Sequence, residues 1–312
     1  MMIEPKVIER YTIVAPLGLR FCDVATGSFI GEGLGVNAFL KSNPDINAEV
    51  FPNRSGVYVL HRARGWKSDR DFINGTDDED FWKRFPPQAD YIIRVVDEMR
   101  RFQPFVFDVK LPVRGLYRFD ALQMRSPLSP LETNKGDVPL FSTSARPVPH
   151  GLTAVRADLW DVTNDRPASW AVLEAYLNGK LLARGVADDL GRTVLMFPYP
   201  KLQPQPLSPP LSPVQTQNSS LLNQVWTLEL KAKYEPFQTN ELSSDLTSLP
   251  DLRRTLTGRE AIIWEDAEQT VSLREVSLRY GFETIVKTRS ALSPPSAERK
   301  SALLLSPATS PL

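Results

Sequence analysis

The stretch GKLLARGVADDLGRTVLMFPYP, residues 179–200, decides the class of fold, because it reads as two strands and a turn. Leu181, Leu182, Ala183 and Val186 form one apolar segment, and Thr193, Val194, Leu195, Met196 and Phe197 form the returning one, stopped by Pro198 and Pro200. Between them lies Asp188-Asp189-Leu190-Gly191. Aspartate side chains bond turn backbone and glycine tolerates positive φ, so a hairpin is expected here. β-branched residues and phenylalanine suit the pleat that follows.

Reading outward, Val155, Ala157 and Leu159 alternate with Arg156 and Asp158, the period of a half-buried strand. Asp161 to Arg166 is a polar turn, Trp170 to Leu177 a further strand, and Val225 to Tyr234 interleaves Trp226, Leu228 and Leu230 with polar residues. Short strands joined by turns indicate an antiparallel β-sandwich rather than a parallel α/β sheet. The same order occurs earlier, in LGLRFCDVATGSFIGEGLGVNAFL and NRSGVYVLH, with Gly56 in the role of Gly191. The turn aspartate precedes that glycine by 33 residues in one copy (Asp23 to Gly56) and by 30 in the other (Asp161 to Gly191). This spacing reads as a divergent internal duplication, although two unrelated antiparallel domains can share it.

The expected fold is therefore all-β, with two tandem antiparallel β-sandwich domains. The first spans residues 1–123, with an acidic and aromatic insertion near 62–90. A linker follows at 124–139, then a second domain at 140–289 with a Pro-rich insertion near 200–223, and an extended tail at 290–312. Proline marks these joints: the chain has 27, against about 16 at average usage. A short helix is expected around Leu246 to Leu256, broken by Pro250.

Composition excludes several classes. Lys+Arg and Asp+Glu balance at 37 each, so no basic face announces nucleic acid. One cysteine, Cys22, excludes an intramolecular disulfide framework and a cysteine-based zinc site, and favours a reducing compartment. The first twenty residues lack the pattern of a secretory signal, and no apolar run is long enough to span a bilayer.

The chemistry-bearing residues are sparse. His61 and His150 are isolated, and Cys22 sits in an apolar strand as a small hydrophobe. No nucleophile elbow, phosphate loop, zinc-protease helix or EF-hand loop occurs, and the glycines of GEGLGV (31–36) read as a tight corner. GTDDEDFWKRF (75–85) joins a carboxylate run, Asp77 to Asp80, to Phe81, Trp82 and Phe85. It reads as a solvated acidic loop, or as a protein interface with aromatic anchors; a calcium or glycosidase site is the weaker alternative. Trp160, Trp170 and Trp226 are expected in the core or on one sheet face. No catalytic residue, metal ligand or cofactor site emerges.

YTIVAPLGLRFCDVATG, NRSGVYVLH, FQPFVFDVKLPVRGL, PLFSTSARPVPHGLTAVRADLWD, RPASWAVLEAYLNGKLLARGVADDLGRTVLMFPYP and SLRYGFETIVKT resemble a family encoded in the phage-tail-like contractile injection system clusters of bacteria, including cyanobacteria. Each half also resembles a transthyretin-like or carboxypeptidase-regulatory-like sandwich. The resemblance implies a non-enzymatic structural component, at the baseplate or its periphery, with a cap position as an alternative. It implies baseplate, sheath or fibre subunits as partners, several copies in a symmetric cytoplasmic particle, and membrane contact only through other subunits. The residues expected to bind partners are Trp66, Phe81, Trp82, Phe85, Leu303, Leu304 and Leu305, the last three within KSALLLSP as a donated strand. A carbohydrate-binding or adhesion module, using Trp66 and Trp82, is the competing reading.

Overall fold

The computed structural model describes residues 15–61, 89–113, 115–119, 136–201, 224–236, 246, 248–289 and 302–308. They form an all-β, multi-sheet, sandwich-like protein. The first unit contains β1 (Leu17–Leu19), β2 (Phe21–Asp23), β3 (Phe29–Ile30), β4 (Leu34–Leu40), β5 (Asn43–Pro52), β6 (Tyr58–Leu60), β7 (Ala89–Asp97), β8 (Phe105–Leu111) and β9 (Val138–Leu140). The second contains β10 (Leu152–Asp161), β11 (Arg166–Pro167), β12 (Val172–Leu177), β13 (Lys180–Val186), β14 (Arg192–Pro198), β15 (Val225–Lys233), β16 (Glu260–Ile263), β17 (Glu275–Arg279), β18 (Thr284–Val286) and β19 (Ala302–Pro307). A short helix, α1 (Leu252–Leu256), lies between β15 and β16.

Both units are wired alike. In the first, the sheet order is β1-β6-β5-β4-β7-β8, and β2 pairs antiparallel with β3 and parallel with β9. In the second, β10 does the work of β1 and β2 together: it pairs antiparallel with β14 and β11 and parallel with β19. The hairpin β12–β13 and its partner β15 repeat β4–β5 and β7. Strand β8 is answered by β16 and β17 together, separated by an inserted hairpin at 264–274.

Alternation explains which faces are buried. In β15, Trp226, Leu228, Leu230 and Ala232 point inward, between outward Thr227, Glu229 and Lys231. In β4, Leu34, Val36 and Ala38 do the same for the first core, where Phe21, Tyr58, Ile93, Phe105 and Phe107 also pack.

The correspondence between the units extends to single hydrogen bonds. Asp23 lies beside Leu140 and Asp161 beside Leu305, and in each case the next residue's N–H (Val24 or Val162) donates to that leucine's carbonyl at 3.1 Å. In the turn before β6, Asn53 Oδ1 accepts from Ser55 and Val57 N–H; in the turn before β14, Asp188 Oδ1 accepts from Leu190 and Arg192 N–H. Gly56 and Gly191 close these turns at φ of +73° and +77°. A Cβ on Gly56 would lie 2.9 Å from Gly31 Cα, and one on Gly191 would lie 2.3 Å from the Leu159 oxygen and 3.2 Å from Ala168 N. Only glycine fits either place.

The difference between 33 and 30 residues has an address. One residue is lost between the aspartate and the contact position, Gly31 against Ala168. Two more are lost in the hairpin. In β5, residues 44–46 bulge between Asn43 and Asn47, whereas β13 bulges by Leu182 alone.

Four expectations need correction. The segments around Asp188–Gly191 do not form a hairpin ladder: β13 pairs with β12, and β14 with β10. They meet at the turn, where the Asp188 N–H donates to the Arg192 carbonyl at 2.9 Å, and pass close at Gly185, where a Cβ would meet the Val194 oxygen at 2.5 Å. Turn chemistry is local, whereas a strand's neighbour is chosen by which pairing buries its apolar face. The strand expected from Trp170 starts at Val172, because Trp170 sits in the preceding turn at φ +63°. The linker 124–139 ends in β9, whose Val138 is fully buried. The tail 290–312 contains β19, which inserts between β10 and β16 of its own chain.

Candidate functional site

Where the two units meet, charged side chains of the connecting segment fasten both. Asp23 ends β2 and is almost fully buried. Its Oδ1 accepts the Ala25 N–H at 2.9 Å and its Oδ2 the Thr26 hydroxyl at 2.9 Å. Arg146 then grips it with both nitrogens, at 3.1 and 2.7 Å. The guanidinium lies 4.8 Å above the Phe102 ring and also donates to Ser142 Oγ. From β10, Arg156 donates to the carbonyls of Ser144 and Arg146 and pairs with Glu283. Ala25 of the first unit packs with Val148 and Leu152 against Ala154, Val194 and Met196 of the second.

A second fastening comes from the other direction. Pro250 accepts the Val106 N–H, so the segment before α1 lies along the edge of β8. Asp251 caps the helix by accepting the Arg254 N–H at 2.8 Å. Leu252 and Leu256 enter the first unit's core, and Leu246 and Leu249 pack on Ile92, Val106 and Phe39. Arg253 donates to the Tyr117 hydroxyl at 2.5 Å and lies 5.1 Å from the Phe119 ring centre. Burial raises the Tyr117 pKa above its ordinary value, against the opposing pull of Arg253.

An enclosed charge cluster in the second unit is centred on Glu174 in β12. Arg184 on β13 donates to Oε1 at 2.6 Å, Tyr176 to Oε2 at 2.7 Å, and Lys233 lies 3.6 Å away. Burial pushes the Glu174 carboxyl up, but Arg184, Tyr176 and Lys233 together hold it below its usual value. The Tyr176 phenol is pushed up to about 12, by burial and then by its bond to Glu174. The cluster is internally neutralised and cross-strand, which suits holding three strands in register more than binding an external charge.

The residues singled out from the sequence scatter. Trp66, Phe81, Trp82, Phe85 and the run Asp77 to Asp80 lie outside the described residues. Leu303, Leu304 and Leu305 are not arms: at 0%, 8% and 0% exposure they are buried within their own chain. Three consecutive leucines placed between two strands bury more apolar surface there than at any sheet edge. His61 and His150 are exposed and far apart in the wiring, and the half-buried Cys22 thiol donates to the Asp23 carbonyl at 3.7 Å. Gly31 to Gly33 form the corner between β3 and β4, as expected, and Gly35 lies inside β4. Of the tryptophans expected in the core, Trp226 is buried, while Trp160 and Trp170 are only half-buried.

Among the described residues, no group of three His, Cys, Asp or Glu is placed to hold a metal ion, and no helix is long and apolar enough to cross a membrane. Sequence reading missed Arg146 and Arg253, because partners 123 and 136 residues away leave no local pattern, and Glu174, because only the register of β12 on β13 sets Arg184 opposite it. No family model, curated protein or solved structure matches the chain.

Proposed function

We propose that the chain is a non-enzymatic structural component of a multi-subunit particle, a stiff double sandwich that holds neighbouring subunits at a set spacing. The observation that carries this reading is the double fastening of the units: Arg146 on Asp23 from one side, α1 on β8 from the other. Two units free to swivel would need neither. Relative domain motion is the default where an interface is small and polar, and this one shares a continuous apolar core.

The resemblance of the sequence supports a phage-tail-like contractile injection system as the particle, and the baseplate or its periphery as the position. With β19 committed to its own sheet, the insertions at 62–88 and 202–223 become the partner-binding segments. They leave from corresponding corners, after β6 and β14, and return at β7 and β15. Phe81, Trp82 and Phe85 are the anchors of the first.

Affinity capture of the full chain at native expression, from cells that assemble the particle, tests this. Sheath and baseplate proteins should copurify in fixed ratio, and Trp82→Ala with Phe85→Ala should release them. Recovery of the chain as a free monomer from preparations of intact particles overturns the reading.

A further inference from the structure

The outer face of the first unit carries two rows of side chains that the chain itself leaves unfinished. Val36, Ala38, Val50, Ile93 and Val95 point into the core, so their neighbours along β4, β5 and β7 face outward. In one row Phe51 of β5 lies opposite Val59 of β6 and, one step beyond the Val36–Val50 pair, beside Gly35, which faces Val96 of β7. Phe51 is 52% exposed. A Cβ built on Gly35 would meet only the Val96 oxygen, at 3.7 Å, so the place above this glycine is a notch. In the next row Glu49, Asn37 and Arg94 stand side by side on β5, β4 and β7, about 4.8 Å apart from strand to strand. The Arg94 Nε is buried without an acceptor, and among the described residues neither Arg94 nor Glu49 makes an ion pair.

The order of these groups selects the occupant. A carboxylate only accepts, a guanidinium only donates and an amide does both. The row acid, amide, base is therefore complementary to itself when turned by half a turn about an axis along β4. Glu49 then faces the partner's Arg94, Arg94 faces the partner's Glu49, and Asn37 meets its own copy on the axis. The same rotation brings Phe51 over the partner's Val96, with its ring beside the notch at the partner's Gly35. A neighbour of one charge sign would match one end of the row and oppose the other. Relief agrees with charge. Leu246 and Leu249 build up the side of this face over Ile92, Val106 and Phe39, whereas Asn47, Glu49 and Phe51 on the β5 side are exposed. Turned about β4, the raised side of each copy stands over the bare side of the other.

We infer that this face joins two copies of the chain in a twofold-symmetric dimer, sheet packed on sheet. The second unit closes the same face internally. Counting back from the hairpin pairs Leu40–Asn43 and Leu177–Lys180, Glu174 takes the place of Asn37, and Arg184 and Lys231 flank it. Val172 and Val186, in the places of Gly35 and Phe51, are buried at 0% and 2% in the first unit's core. The dimer is independent of the particle proposed above, since it needs only the chain and its copy.

Charge reversal on the full purified chain, read by native mass spectrometry and sedimentation velocity, tests it. The native chain should dimerise. Glu49→Arg and Arg94→Glu each set like charges face to face on both sides of the axis, so each variant should be a folded monomer by circular dichroism and sedimentation. Mixed together, these two variants should form a dimer of unlike copies, and the double variant should dimerise with itself. Phe51→Ala should weaken the dimer about tenfold. If Arg94→Glu fails to fold, Glu49→Arg at its exposed site should still be monomeric, and Arg94→Gln should weaken the native dimer. A native chain that is monomeric at every soluble concentration overturns the inference. So do dimers that survive both reversals, and reversed variants that stay monomeric when mixed.

Discussion

The two units share a wiring diagram and differ in how each is completed. Asp161 is satisfied within its own unit, by Asn164 at 2.7 Å and the Tyr234 hydroxyl at 3.1 Å. Its counterpart Asp23 needs Arg146, from the segment between the units. The second unit fills the region beyond β16 with its own hairpin at 264–274, where Trp264 bridges to Ser272. The first is filled by α1, borrowed from the second. The corners differ as well: β5 and β6 still pair at Phe51 and Pro52, whereas β13 and β14 do not pair at all. The two units therefore match in their cores and differ at their edges: the first unit is finished by the second.

The most severe way to break this comparison is to separate the units. Residues 15–147 alone lose Leu252, Leu256 and Arg253, and should show no cooperative unfolding by circular dichroism. Residues 141–312 should retain a folded, dispersed NMR spectrum. A folded first unit on its own would contradict the asymmetry.

The turn glycines come next. Gly191→Ala forces a Cβ into the Leu159 carbonyl and should cost about 3–5 kcal/mol. Gly56→Ala presses partly on the Phe29 ring, which is 40% exposed and can move, and should cost about 2 kcal/mol. Denaturant titration of both variants ranks them.

Leu305→Ala and Leu140→Ala occupy matching places and should each cost about 3 kcal/mol in the isolated chain. An unchanged midpoint for Leu305→Ala would restore β19 as a partner-binding arm. Arg146→Ala strands a buried carboxylate; because the arginine side chain keeps 12% exposure and solvent can reach the site, the loss should be about 2 kcal/mol.

The smallest effects are pH-dependent and belong to the second unit. Glu174 is held below its ordinary 4.5, so its contribution is present above that value and fades as pH falls through the lower folded value. Glu174→Gln should flatten the acid limb of the stability profile. Tyr234 is pushed up to about 12 by burial and then by Asp161, so its contribution is present below pH 10 and lost between 10 and 12. Tyr234→Phe should shallow that alkaline limb, as read from denaturant midpoints across the range.

Much of the strand inventory was legible, because alternation and turn chemistry are local. The pairs Asp23 with Asp161 and Gly56 with Gly191 were readable from spacing, and the register places each pair in matching positions. Helix α1 was legible from Pro250 and the leucines after it. The site was much less so. The clasp of Arg146 on Asp23 and that of Arg253 on Tyr117 join residues 123 and 136 apart, and only the fold brings them together.

The sequence by itself determined an all-strand chain, its repeated turn-and-glycine plan, and the places where proline interrupts it. These follow from each residue's own φ preference and side-chain period, which need no distant partner. Tertiary structure alone decided that β13 and β14 part company, that Ala302–Pro307 returns home as a central strand, and that α1 completes a unit it does not belong to. Those outcomes depend on which surfaces can bury one another, and burial is a property of the assembled chain.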